Sequence, residues 1–195
     1  MDKSVRSTSI TVVITVVTAL LTSLLAPYAI ESLKEQQAQR NRESEKQDRI
    51  IATQFEIIEK CNTAYWNYQQ AADFLILDFA NDQPDGPLAD KHRAAFHEAS
   101  VEASSQLRIQ AFRARMYFGS EGVYRQLMEI PDRIFLGGID SHIEARLHAD
   151  EVPLHLSKSQ KQQWEDLHKE LSEVETFVQA DLNSAFLQIG SHIFR

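Results

Sequence analysis

"IIATQFEIIEKCNTAYWNYQQAADFLILDFA", residues 50–80, decides the architecture. Ile51, Ile58, Tyr65, Ala72 and Phe79 return every seven residues, with Phe55 and Ile76 beside them. Seven residues are two helical turns, so these side chains stack along one face of a rod instead of alternating as a strand requires. Neither glycine nor proline interrupts the pattern. The stretch predicts one long amphipathic helix from Ile50 to Ala80. Asn62 and Gln69 fall inside its apolar stripe, where an amide either fixes register between helices or is satisfied locally in the core.

On the amino side lies "EQQAQRNRESEKQDR", residues 35–49, in which only Ala38 is apolar. Its charges alternate, and Glu45 with Arg49 has the favourable i, i+4 order. Gln, Glu, Lys and Arg favour helix, and a helix polar all round is a solvent-bridging one. Residues 31–49 are therefore expected to form a polar helical stalk; a disordered polyampholyte linker is the alternative.

Further out, residues 10–30 carry no charge. That length matches the roughly 20 helical residues needed to cross a hydrocarbon core of about 30 Å. Pro27 near one end and Tyr28 at the interface fit the same reading. Cleavage after Ala26 or Ala29 would put Leu24 or Pro27 third from the cut, poor signals for a removable leader, so the segment reads as an uncleaved transmembrane helix behind a flank at 1–9. Lys34, Arg40 and Arg42 slightly outnumber Lys3 and Arg6, which leans the following domain to the cytosol of a bacterial inner membrane.

Thr8, Thr11, Thr15, Thr18 and Thr22 mark one side of this segment within an arc of ~80°. Each hydroxyl can bond its own i−4 carbonyl and face lipid. A small, hydroxylated face also admits a neighbouring helix or water, and its one-sidedness favours a helix-association or pore-lining face.

On the carboxyl side, "NDQPDGPL" ends the first bundle helix. A second runs from about Ala89 to Phe118, with Phe96, Ala103, Leu107, Ala111, Ala114 and Phe118 on one face. Its first half is rich in Ala and Ser, which permits close helix approach. Val101, Ile109, Phe112 and Met116 form a second apolar stripe on the opposite side, a candidate subunit contact unless the helix is sandwiched within its own fold.

After "FGSEG", with Ser120 as N-cap, a helical region uses Val123, Leu127, Ile134 and Phe135. Pro131 and Gly137-Gly138 are expected to interrupt it, with a further turn over Ser141 to His148. "HADEVPLHL" reads as a loop. The last helix starts at Ser157 or Ser159, where Ser157 and Gln160 have capping-box spacing. Trp164, Leu167, Leu171, Val174, Val178, Leu182, Ala185 and Ile189 share one face, and Gly190 is expected to end it. Residues 50–195 are thus an antiparallel bundle of about four helices, and the whole chain is all-α.

The chain has 28 acidic against 20 basic residues, a formal charge of −8, so wholesale binding to nucleic acid is not expected. With one cysteine, neither an intrachain disulfide nor a cysteine metal site can form. No phosphate-binding glycine loop, nucleophile elbow or H-E-x-x-H occurs. His142 and His148 are six apart and cannot share a helical face, so Asp140, Glu144 and these histidines are not expected to hold a metal. Arg93 to His97 encloses three residues and Arg133 to His142 eight, neither matching the four-to-six spacing of HEPN-class helical ribonucleases. His97, Arg108 and Arg115 share a flank of the second helix, a candidate strip for an anionic ligand or partner; internal ion pairing is the alternative.

"ALLTSLLAPYAIESLKEQQ", "IIEKCNTAYWNY" and "FRARMYFGSEGVY" together resemble small bacterial single-pass membrane proteins with a helical-bundle domain, such as the membrane accessory proteins of type VI-B CRISPR systems. That resemblance implies an anchored helical protein that assembles into a membrane pore and strengthens antiphage defence. The expectation is a non-enzymatic, self-associating membrane protein without cofactor, whose partners are the lipid bilayer, its own copies and a protein. The alternative is a passive tethered adaptor.

Overall fold

The computed structural model describes residues 3–81, 86–149 and 156–193, with side chains at Tyr28 and over 30–81, 86–149 and 156–189. Five α-helices follow one another: α1 Lys3–Ala80, α2 Pro87–Tyr117, α3 Glu121–Phe135, α4 Ile139–Ala149 and α5 Lys158–Ile193. Among the described residues there is no strand. The chain divides into two compact units, Met1–Arg49 and Ile50–Arg195, the division falling where the apolar pattern begins.

In the first unit, the side chains from Glu31 to Arg49 are all exposed. Gln39 donates to Glu43 at 3.3 Å and Arg49 faces Glu45 at 3.9 Å, the local i, i+4 contacts that a polar helix relies on. Among the described residues no helix is long and apolar enough to cross a membrane. The side chains of 10–27, most of the expected span, and of Thr8, Thr11, Thr15, Thr18 and Thr22 lie outside the described residues.

The second unit is a bundle around one core. Ile58, Tyr65, Ala72, Ile76 and Phe79 of α1 are buried, as their spacing requires. Phe79 stacks on Trp164 of α5 at 4.3 Å, and Tyr68 meets Phe96 of α2 at 5.9 Å and Phe135 of α3 at 5.4 Å. These ring contacts tie α1 to three other helices, and such pairs are worth about 0.5–1.5 kcal/mol beyond their buried area. Trp164, Leu171, Val178, Ala185 and Ile189 bring α5 to the same core.

Local chemistry explains the ends. α2 starts two residues earlier than expected because Pro87, with φ already helical, occupies its first turn behind Gly86. At the start of α5 the backbone N–H of Ser157 donates to Gln160 Oε1 at 2.9 Å, and the Gln160 N–H donates to Ser157 Oγ at 3.3 Å. Both bonds of the capping box are made. Ser120 stands at the N-cap of α3, but its side chain makes no cap bond.

Pro131 does not interrupt α3. It is buried on the core face, and the helix continues to Phe135. A proline four residues from a helix end removes one backbone bond and leaves little helix to destabilise. The break comes at Gly137, whose φ of +71° favours glycine. Gly138 is there for a different reason: a β-carbon on it would collide with the backbone carbonyl of Arg133. The segment after it is a full helix, α4, not a turn, because Ile139, Ile143 and Leu147 give it a buried face. Gly190 does not end α5, which runs to Ile193; an interior glycine costs a helix about 1 kcal/mol and does not by itself stop one.

Candidate functional site

α2 has two unlike faces. Phe96, Ala103, Leu107, Ala111 and Ala114 are buried in the core. On the opposite side Val101, Ile109, Phe112 and Met116 are 73%, 48%, 54% and 73% exposed. Helical spacing places the four on one outward line about four turns long. Phe112 leans on Tyr124 of α3 at 6.0 Å, and the Arg115 guanidinium lies over the same ring at 5.3 Å. The sequence therefore located an apolar stripe that α2 does not bury against its own bundle.

Beside this stripe a groove opens between α1 and α2. One part, of about 690 Å³, has Ala64, Asn67, Ala95, Ala99 and Val101 along it, with Glu98 and Glu102 at the rim. A second part, of about 420 Å³, continues it past Thr63, Lys60, Glu59 and Gln106. Ala64, Asn67 and Glu102 belong to both. Glu56 is engaged: Lys60 approaches it at 2.7 Å and Arg113 at 3.3 Å, and these cations hold its carboxyl below the ordinary value. Sequence reasoning missed the groove. It anticipated close approach from the Ala and Ser run of α2, but Ala95 and Ala99 line an opening instead of a contact.

His97, Arg108 and Arg115, the flank singled out for an anionic ligand, are placed separately. His97 Nδ1 lies 2.9 Å from Glu144 of α4. Arg115 lies 3.7 Å from Glu121 of α3. Arg108 is half-buried, and its Nε is buried without a hydrogen-bond partner.

Behind His97 sits a polar junction. Burial pushes the Asp140 carboxyl up and the charge of Glu144 adds to that, while Ser100, Tyr68 and His97 act the other way. Burial, and next the charge of Asp140, drive the Tyr68 hydroxyl well above its usual value. Neither Tyr68 Oη nor Asp140 Oδ1 closes a hydrogen bond of ordinary length.

Three other histidines are held by carboxylates at scattered places: His92 by Asp78 at 2.6 Å, His142 by Glu170 at 2.8 Å and His168 by Asp73 at 3.3 Å. Among the described residues no three His, Cys, Asp or Glu side chains converge to hold a metal ion. The lone cysteine, Cys61, is fully buried in α1, which pushes its thiol up to about 12.

No protein-family model matches the chain, and no curated protein or solved structure is significantly similar to it.

Proposed function

We propose that this chain is a single-pass membrane protein that self-associates, and that it acts without catalysis as an oligomeric pore or membrane-perturbing effector in bacterial antiphage defence. The observation that carries the reading is the outward stripe of α2. Four apolar side chains in line, at 48–73% exposure, are an unusual thing for a monomer to leave in water. A second copy covers them most simply, because anchored chains share a plane and meet at high effective concentration. The uncharged residues 10–30 supply the anchor, and the threonine side of that segment supplies a face on which anchors approach one another.

A passive tether whose bundle holds a partner protein is the second reading. The acidic groove between α1 and α2 is the feature in its favour, since it offers a seat for a cationic helix. The anion-binding variant of that reading has less support, because His97 and Arg115 already face carboxylates of their own bundle.

Light scattering on the full chain in mild detergent separates the two. Self-association predicts a discrete multiple of the chain mass, reduced by Thr15→Leu with Thr18→Leu. A strict monomer, indifferent to both changes, removes the proposal and leaves the tether.

A further inference from the structure

We propose that four histidine–carboxylate pairs form a proton-operated clasp around one half of the bundle, closed in mild acid and slack at alkaline pH. It requires no second copy of the chain.

Scattered as they are along the sequence, the pairs fall in a circuit. His92 of α2 meets Asp78 of α1 at 2.6 Å, and His97 of α2 meets Glu144 of α4 at 2.9 Å. His142 of α4 meets Glu170 of α5 at 2.8 Å, and His168 of α5 meets Asp73 of α1 at 3.3 Å. Taken in order, they join α1 to α2, α2 to α4, α4 to α5 and α5 back to α1. Every link crosses between helices. All four lie in the half of the bundle where Phe79 stacks on Trp164.

The half where Gln54 reaches the Tyr117 carbonyl is tied differently. There Arg113 of α2 lies 3.3 Å from Glu56 of α1, and Arg115 lies 3.7 Å from Glu121 of α3. Arginine keeps its charge throughout the working pH range, whereas histidine changes charge between about pH 5 and 8. Fixed cations staple one half and titrating groups staple the other.

Chemistry sets the sign. A neutral imidazole gives a carboxylate an ordinary hydrogen bond, and an imidazolium gives it a charge-assisted one about twice as strong. Each tie is therefore complete in mild acid and weakens as pH rises through the range in which histidine titrates. Well below that range the carboxylates take up protons themselves and the ties fail again.

The most enclosed link is His92–Asp78, with the two side chains 20% and 13% exposed, so solvent screens it least. Phe74 stacks on the His92 ring at 5.3 Å, and a cation there also meets a π face. Two corners carry further titratable groups. Asp140 of α4 faces His97, beside Tyr68 of α1 and Glu144. Tyr65 of α1 and Glu175 of α5 lie beside Asp73. The added carboxylates are negative, so a proton gained on either histidine adds attraction there too.

α4 is the element this clasp governs. It has 11 residues and buries Ile139, Ile143 and Leu147. Two of the four pairs are its own, one on each flank, and its bond from Arg146 to Gln163 persists at either pH. A helix this short depends on its neighbours to stay folded, so weakening both flanks favours its local opening.

The test is amide hydrogen exchange of the full chain in mild detergent at pH 6 and pH 8, corrected for the intrinsic pH dependence of exchange. Exposed pairs are each worth a few-fold at most, so α4 amides should lose roughly three- to tenfold in protection at pH 8. Amides from Leu107 to Ala114, in the arginine-held half, should change by less than about twofold. His97→Gln with His142→Gln should bring α4 at pH 6 down to the parent's pH 8 level and leave it flat. Glu144→Gln with Glu170→Gln keeps both imidazoles and should flatten the profile equally.

Equal protection of α4 at the two pH values overturns the proposal. A pH dependence that survives both double variants overturns it too, and its loss in Asp140→Asn alone would assign it to the buried carboxyl instead. If a double variant fails to fold, the comparison of α4 with Leu107 to Ala114 in the parent decides: a slope shared by both regions contradicts the clasp, and a slope confined to α4 supports it.

Discussion

α2 and α3 neighbour one another in the bundle and obey different rules. In α3, Val123, Leu127, Ile130 and Ile134 are buried, and Glu121, Arg125, Glu129 and Asp132 are exposed. Its sequence is fully explained by folding. α2 buries an equally good face and then repeats the apolar pattern on the side that folding leaves in water. Burial of the inner face stabilises the chain. Apart from the Phe112–Tyr124 contact, the outer face contributes little to the monomer, so it is the part of the bundle whose composition calls for something beyond the fold.

Several substitutions sharpen or break this contrast. The largest effect is expected at the joint that closes α3. Gly138→Ala forces a β-carbon against the Arg133 carbonyl, and since backbone cannot rotate aside, the loss should be on the order of 4 kcal/mol, read from the urea midpoint. A near-neutral result would mean that the α3–α4 turn is far more pliant than its geometry implies.

Leu107→Ala in α2 and Leu127→Ala in α3 remove fully buried side chains. Each should cost roughly 2–5 kcal/mol by lost burial and the cavity left behind. Here the two helices should behave alike. A small loss at Leu107 alone would mean that α2 is held loosely and that its two faces are less distinct than described.

The next effect depends on pH. The Asp140 carboxyl is raised above 3.8 when folded, chiefly by burial. The folded state then binds the proton more tightly, so the cost of the charge is absent below pH 3.8 and grows as pH rises through the folded value. Asp140→Asn should therefore be more stable than the parent at pH 7, with the advantage vanishing on acidification toward pH 4. Paired urea titrations across that range check this. A constant difference would show that Asp140 is not held by burial.

The smallest stability effect is the most diagnostic. Met116→Ser should shift the midpoint by no more than about 0.5 kcal/mol, the ordinary range for surface positions, and Phe112→Ser by about 1.5 kcal/mol at most, since it also loses the contact with Tyr124. A large loss would place these side chains in their own bundle and erase the contrast.

Much of this fold could be read from residue patterns. The inner face of α2, the eight-residue line on α5 from Trp164 to Ile189 and the Ser157–Gln160 cap each depend on neighbours within one helix, and spacing fixes them. Pro131 and Gly190 were misleading because breakers act through context: one lies in the core near a helix end, the other within a helix that continues past it. α4 was underestimated because Ile139, Ile143 and Leu147 make too short a pattern to stand out.

The candidate contact divides the same way. Its stripe is a property of one helix and could be found from Val101, Ile109, Phe112 and Met116. The groove beside it exists only once α1 and α2 are laid together, with Glu59, Lys60 and Thr63 of one and Glu102 and Gln106 of the other along it, and no periodicity within either helix announces it.

The central claim is that the outer stripe of α2 is a subunit contact. Its most direct test is the mass of the full chain in mild detergent, measured for the parent and for Phe112→Ser with Met116→Ser at equal concentration. The account predicts a discrete oligomer for the parent and dissociation in a variant that still unfolds cooperatively, its midpoint lowered far less than by Leu107→Ala. The same mass for both proteins would contradict it.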